Sequence, residues 1–110
     1  MDKNAFMRMK AGDFVRNNGI VIRRINLLRT SFIKLQNVWD VVRGDGMESR
    51  EFLDSVNYLQ QEGYIKLRTI KGKIETMLAD AKEYTDLEAL VSARGIRLLS
   101  GHLQDELVDV

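Results

Sequence analysis

The hydrophobic period of this chain changes at Gly63, and that change constrains its fold more than any other feature. Before it, Phe52, Val56 and Leu59 recur at spacings of three and four residues, which predicts a helix with one buried side. After it, apolar and basic side chains alternate through residues 64–70, the pattern of a half-buried strand. Glycine readily adopts the left-handed conformation that ends helices. The sequence therefore predicts a helix that leads directly into a strand.

Two more apolar stripes at helical spacing lie upstream and predict the first two helices. Their members are Ile22, Ile25, Leu28 and Phe32 in the first stripe, and Leu35, Val38, Trp39 and Val42 in the second. The i, i+4 spacing of Leu35 and Trp39 indicates that the indole packs in the core. The two helices are either continuous or kinked near Thr30 and Ser31, whose hydroxyl groups compete for backbone hydrogen bonds. The glycines at 44 and 46 favour a turn, and the third helix follows with Ser49 as its predicted N-cap.

The two ends of the chain are predicted to lie outside this folded unit. Residues 1–17 form a weak N-terminal segment that Gly12 interrupts, residues 18–101 form the domain, and residues 102–110 form an acidic tail. The apolar side chains available at the ends are Phe6, Met9, Phe14, Leu103, Leu107 and Val108. We expect one of these ends to pair across the twofold axis of a homodimer, because these apolar side chains are left over from the predicted core.

The chain beyond the first strand is predicted to turn back on itself. Lys71-Gly72-Lys73 reads as the turn, and a returning strand is visible at residues 87–92. A short helix then packs Ile96 and Leu99, and Gly101 stops it. Residues 74–86 fit a helical pattern and an alternating pattern, so both remain open.

Two stretches resemble the winged helix-turn-helix family of small bacterial and phage DNA-binding proteins. FLDSVNYLQQEGYIKLR is similar to the recognition helix and first wing strand, and LVSARGIRLLSG is similar to the segment that follows the wing. The resemblance covers residues 20–110 and implies a mainly α fold with a small β-hairpin. That fold has a three-helix core, a two-stranded wing and a short C-terminal helix. The connection over residues 71–86 is long for a wing, and the third helix is not basic.

Composition excludes several other classes of protein. The chain has no cysteine and one histidine, His102, so disulfides, thiolate metal sites and histidine metal clusters are not available. Its spacing shows no phosphate-binding loop and no catalytic motif, so we expect no enzyme activity, no cofactor and no metal. The start of the chain lacks an uncharged stretch typical of secretion signals, and no long apolar run could cross a membrane. These features predict a soluble cytoplasmic protein.

Charge is distributed unevenly although the net charge is only +1. Residues 1–43 carry nine lysines and arginines against three aspartates, whereas residues 44–63 carry one arginine against five acids. Residues 64–73, called the ribbon below, carry four basic side chains and no acid. Basic clusters on a nearly neutral protein indicate a surface that faces a polyanion, and a solvated face is the alternative interpretation.

The resemblance implies that the third helix enters the major groove of double-stranded DNA while the ribbon follows the backbone. Arginine can pair with guanine, and asparagine or glutamine with adenine, so the exposed side of the helix supplies the predicted readers. The DNA-binding residues predicted in this way are Arg50, Asn57 and Gln61 on the helix, and Lys66, Arg68, Lys71 and Lys73 on the ribbon. The predicted function is a sequence-specific or architectural DNA-binding protein, a transcriptional regulator of bacterial or phage origin.

A protein-interaction domain is the alternative, in which the same fold acts as a scaffold subunit of a larger assembly. The acidic balance of residues 44–63 favours it, because carboxylates repel phosphates. Asp54 and Tyr58 are the candidate partner-binding residues on the third helix, and the N-terminal segment is a second candidate surface. For Tyr58, packing against the N-terminal segment or a partner is favoured over base contact.

Overall fold

The computed structural model describes residues 2–110, apart from the side chain of Phe6. Within these residues it shows one α/β domain with four α-helices and a three-stranded antiparallel sheet. In chain order the elements are α1 (Lys3–Ile25), β1 (Ile33–Lys34), α2 (Leu35–Val42), α3 (Ser49–Gln61), β2 (Ile65–Thr69), β3 (Leu87–Val91) and α4 (Ala93–Leu99). The prediction of a helical domain with a β-hairpin is confirmed in part.

The sheet has three strands rather than the predicted two, in the order β1-β3-β2. Ala89 in β3 lies opposite Leu67 of β2 on one edge and opposite Ile33 of β1 on the other. β1 is only two residues long, so alternation could not reveal it in the sequence.

α1 is a single helix of 23 residues that crosses the predicted boundary at residue 17. The predicted interruption at Gly12 and the predicted helix start after Gly19 are therefore wrong. Asp2 caps the helix by accepting a 2.8 Å hydrogen bond from the Ala5 backbone N–H. Gly19 lies within α1, and the last residues of the chain pack closely against it. A Cβ at this position would lie 1.9 Å from the Asp109 carbonyl oxygen.

The first predicted apolar stripe is longer than the helix that carries it. α1 ends at Ile25, and a 3-10 turn over Asn26–Leu28 redirects the chain toward β1. Leu28 is consequently 63% exposed rather than buried. Phe32 lies outside any helix, and its ring contacts Arg68 of β2 instead.

The remaining helical stripes are confirmed by the core. Trp39 is partly buried and packs against Phe52, with ring centroids 5.4 Å apart. The fully buried side chains of the core include Val21, Ile22, Ile25, Leu35, Val38, Phe52, Val56, Leu59, Leu67, Leu87 and Leu98. They come from all four helices and from β2 and β3, so helices and sheet share one core.

α3 begins and ends close to the predicted residues. Its N-cap is Glu48, not Ser49, and the Glu48 backbone N–H donates a 2.9 Å hydrogen bond to the Glu51 carboxylate. Gly63 terminates the helix as predicted, with a left-handed φ of 79°. The Tyr64 backbone N–H then donates to the Leu59 carbonyl at 2.9 Å, which turns the chain directly into β2.

The connection over residues 71–86 folds back along the domain. Its first part returns beside β2, where Glu75 pairs with Arg68 in an isolated bridge. The side chain of Gln60 in α3 then donates to the Thr76 carbonyl at 2.7 Å and accepts from the Leu78 N–H at 2.9 Å. Two 3-10 turns follow, over Leu78–Asp80 and Tyr84–Asp86. The connection is therefore ordered by pairing with β2 and by hydrogen bonds from Gln60, neither of which the hydrophobic period of the sequence reveals.

The C-terminal tail docks on α1 of its own chain. Val108 is buried, with 5% of its surface exposed. The Asn18 side-chain amide donates to the Leu107 carbonyl at 2.9 Å, and Arg23 donates to the Asp109 carbonyl at 2.6 Å. No helix among the described residues is long and apolar enough to cross a membrane.

Two glycines test the packing of α1 and α4. Gly95→Ala should lower the free energy of unfolding by about 1–3 kcal/mol, because its Cβ would lie 2.2 Å from the Tyr64 carbonyl oxygen. Gly12→Ala should instead raise it by about 0.5–1 kcal/mol, since Gly12 lies in an exposed helix interior with open space around it. Urea denaturation measures both; a destabilising Gly12→Ala would contradict the continuous α1.

Candidate nucleic-acid interface

The outer side of α3 carries the predicted base-reading side chains in one row. Arg50, Asp54 and Gln61 are exposed, while Asn57 is half-buried. The Gln61 side-chain amide donates a 3.3 Å hydrogen bond to the Asn57 side-chain oxygen, which links neighbouring turns of the helix. The structure therefore brings the three predicted readers to one face, with the carboxylate of Asp54 among them.

A groove between α1 and α3 extends this face. It has a volume of about 680 Å³ and is lined by three residues of α1 opposite six of α3 and its N-cap: Lys10, Phe14 and Asn17, and Glu48, Arg50, Glu51, Leu53, Asp54 and Asn57. Sequence reasoning missed Lys10 as a neighbour of Arg50 because residues 1–17 were treated as separate from the domain. Spacing contained the missing signal: Lys10, Phe14 and Asn17 follow the i, i+4, i+7 pattern of one helix face.

Tyr58 is turned inward rather than displayed on the outer side of α3. Its ring packs edge-on against Phe14, with centroids 5.4 Å apart, and its hydroxyl donates a 2.6 Å hydrogen bond to Asp105 Oδ2. The expected packing against the N-terminal segment is confirmed, and the expected exposure is wrong. The Tyr58 hydroxyl already has a partner within the chain.

A second tyrosine donates to the same carboxylate oxygen. The Tyr64 hydroxyl lies 2.7 Å from Asp105 Oδ2, so two phenols from α3 and the start of the ribbon converge on the tail. Burial first, and then Asp105, raise the pKa of Tyr64 to about 12 and raise the pKa of Tyr58 as well. Burial would raise the pKa of Asp105, but the two phenol hydrogen bonds outweigh it and hold that pKa below its ordinary value.

The ribbon divides its four basic side chains into two pairs. Lys66 and Lys71 are exposed and make no ion pair with another described residue. Arg68 and Lys73 both contact Glu88 of β3, with 2.8 Å from Arg68 Nε and 2.7 Å from Lys73 Nζ to Glu88 Oε1. Arg68 lies on the outer face of the sheet with Lys66, as expected, but it is half-buried in this cluster.

Glu88 occupies the middle of the outer sheet face. It is 6% exposed, and its direct neighbours across the sheet are Arg68 on β2 and Lys34 on β1. Burial would raise the pKa of Glu88, but the hydrogen bonds and charges of Lys73 and Arg68 outweigh it and lower that pKa. Sequence reasoning missed Glu88 and Lys34 because the position of Glu88 beside Arg68 depends on the register of β2 with β3, and that of Lys34 on the register of the two-residue β1 with β3.

Among the described residues, 2–110, no group of three or more histidine, cysteine, aspartate or glutamate side chains could hold a metal ion. No protein-family model, no curated protein and no solved structure matches this chain. The candidate interface thus consists of the α3 face, the groove beside it and the exposed lysines of the ribbon.

The two phenols on Asp105 predict a loss of stability in alkali. Because the folded-state pKa values of Tyr58 and Tyr64 lie above the ordinary 10.0, their stabilisation is full below pH 10 and is lost as the pH rises through the folded values. Asp105→Asn should bring both tyrosine titrations closer to the ordinary value in ultraviolet absorbance. Glu106→Gln, which removes a neighbouring exposed charge, is the control; equal titrations in the two variants would contradict the assignment.

Proposed function

We propose that this chain is a winged helix-turn-helix protein that binds double-stranded DNA through α3 and the ribbon. The order of elements supports the topology: helix, strand, two helices, then two paired strands. β2 follows α3 directly, as a wing strand follows a recognition helix, and it pairs with β3 after the connection over residues 70–86. The resemblance of residues 20–110 to this family points the same way.

One observation carries the proposal: α3 presents three side chains capable of base contacts in a single row. Arg50 makes no ion pair with another described residue, so its guanidinium is available to guanine O6 and N7. Asn57 and Gln61, four residues apart, offer amides that can pair with adenine. Side chains of this kind at helical spacing match the reach of an α-helix in the major groove.

The exposed lysines of the ribbon supply the complementary contacts. Lys66 projects from β2 opposite the buried Ile65 and Leu67, and Lys71 lies in the turn that follows the strand. Contacts from lysine to phosphate fix the position of a protein on the duplex without reading its sequence. α3 therefore provides selectivity in this proposal, and the ribbon provides affinity.

Asp54 weakens this arrangement and supports the second candidate function. Its exposed carboxylate lies within the row of readers and is repelled by phosphates, although at a screened surface such a charge costs only about 1 kcal/mol or less. α1 also exposes Met7 and Met9, at 58% and 45%. A scaffold subunit that binds a partner protein through α3 and α1 would use both features.

Base reading by α3 is tested by selecting bound sequences from a random duplex pool. Arg50→Ala or Gln61→Ala should weaken binding to the selected site by about 1–3 kcal/mol and change binding to random DNA little. Arg97→Ala, which removes an exposed arginine from α4, is the control and should leave the site preference intact. Folding should be unaffected, because the row lies opposite the buried Phe52, Val56 and Leu59.

The same selection distinguishes the second candidate. If no motif is enriched at low salt, α3 does not read bases and the regulator proposal fails. Asp54→Lys should then strengthen binding to random DNA and abolish the complex with a purified partner protein. Enrichment of one motif that the Arg50 and Gln61 variants lose would instead exclude the scaffold function as the role of this face.

A homodimer remains part of the proposal, with α1 as its contact. Val108 of the tail is buried on α1, whereas Leu107 stays 39% exposed. The exposed Met7 and Met9 leave the N-terminal half of α1 as the candidate surface. Light scattering at high micromolar concentration should give a dimeric mass, and Met7→Lys should give a monomeric one; a monomeric wild type would refute this.

A further inference from the structure

Fewer cations of the ribbon are available to a ligand than its four basic residues suggest. All four of its basic side chains follow one another within eight residues, from Lys66 to Lys73. Two of them converge on one oxygen of Glu88, which is the only acid on the sheet strands of the described chain. A cation that pairs with a buried carboxylate is already largely neutralised, so it contributes less to a phosphate contact than an unpaired cation does.

Arg68 is held from two sides. Its Nε lies 2.8 Å from Glu88 Oε1, and its guanidinium carbon lies 3.5 Å from the centre of the Phe32 ring. The guanidinium therefore combines an ion pair with a cation–π contact, and its side chain is only 28% exposed. Removal of Glu88 would leave the contact with Phe32 in place, so we expect Arg68 to stay on the sheet.

Lys73 is held from one side only. Its ammonium lies 2.7 Å from Glu88 Oε1, and its side chain is 52% exposed. Lys73 also has a left-handed φ of 56°, which is unfavourable for a residue with a Cβ, at the end of the turn that contains Lys71. The contact with Glu88 thus holds the ammonium of Lys73, while the backbone hydrogen bond from the Lys73 N–H to the Thr69 carbonyl, at 3.0 Å, closes the turn.

We propose that Glu88 lowers the affinity of the ribbon for DNA by pairing with Lys73, while Arg68 is fixed between Glu88 and Phe32. Glu88 is in this sense a positioning residue, and the inference rests on the proposed function. In the folded chain the ribbon contacts phosphates through Lys66 and Lys71. Glu88 keeps Lys73 from making a further phosphate contact. A purely structural ion pair, which stabilises the sheet and leaves binding unchanged, is the competing account.

Glu88→Gln tests the inference because it removes the charge and keeps the shape. Binding to random duplex DNA should become several-fold tighter at low salt, and the slope of log K against log salt should steepen by about 0.9, the value for one additional phosphate contact. Glu75→Gln is the matched control: Glu75 is exposed, lies beside β2 and makes no ion pair with another described residue. Glu75→Gln changes the net charge by the same amount. Only the part of the change in DNA affinity and salt slope that Glu88→Gln shows beyond Glu75→Gln therefore supports the inference.

The additional DNA affinity of Glu88→Gln over Glu75→Gln must come from Lys73. Lys73→Gln should leave wild-type binding unchanged but cancel the gain when combined with Glu88→Gln. Lys71→Gln, two residues away in the same turn, should weaken wild-type binding and flatten the salt slope by about 0.9. The comparison of Lys71→Gln with Lys73→Gln needs no change in the core, so it decides the question even if Glu88→Gln fails to fold.

The outcomes separate the inference from the proposed function. If wild type binds DNA and Glu88→Gln equals Glu75→Gln, the inference fails and the DNA-binding proposal stands. Equal losses for Lys71→Gln and Lys73→Gln would overturn it in the same way. If the wild type, Glu88→Gln and the Lys73 variants all fail to bind duplex DNA, the DNA-binding proposal and the inference about Glu88 both fail. Tight binding that appears only in Glu88→Gln would support the inference.

Discussion

β3 can pair with β1 and β2 at once only because the long connection before it folds back against the helices. Ala89 meets Ile33 on one edge and Leu67 on the other, so three distant parts of the chain are fixed by one strand. Gln60 secures the connection with two hydrogen bonds, and Tyr84 packs against Phe52. Without this anchoring the loop-closure entropy of bringing β3 to β2 would have less to offset it.

The same central strand determines what the outer surface can offer. Its inward side chains, Leu87 and Ala89, close the core, while Glu88 on the other face collects cations from the ribbon. The tail has a comparable effect on α3, since Asp105 engages Tyr58. Both acids therefore remove candidate contact groups from the surface, and a smaller set of exposed groups remains for a ligand: Arg50, Gln61, Lys66 and Lys71.

Sequence patterns predicted what depends on local periodicity and missed what depends on register. The stop at Gly63, the buried side of α3 and the strand–helix–glycine sequence of residues 87–101 are local and agree with the structure. The continuity of α1 through Gly12 and the existence of β1 depend on tertiary context, which overrides propensity. The seven predicted DNA-binding residues lie on α3 and the ribbon as expected. Their availability differs, however, because Glu88 is far from Arg68 in sequence and adjacent to it in the sheet.

The central claim is that α3 and the ribbon face one duplex together. Amide chemical-shift mapping during titration with duplex DNA at low salt tests it most directly, because it reports every contacted segment in the wild-type chain. The account predicts that the shifts concentrate on residues 50–61 and on the amides of Lys66 and Lys71, with little change in α4 or the tail. Shifts confined to α1 and the tail, or no shifts at concentrations where weak non-specific binding is saturated, would contradict it.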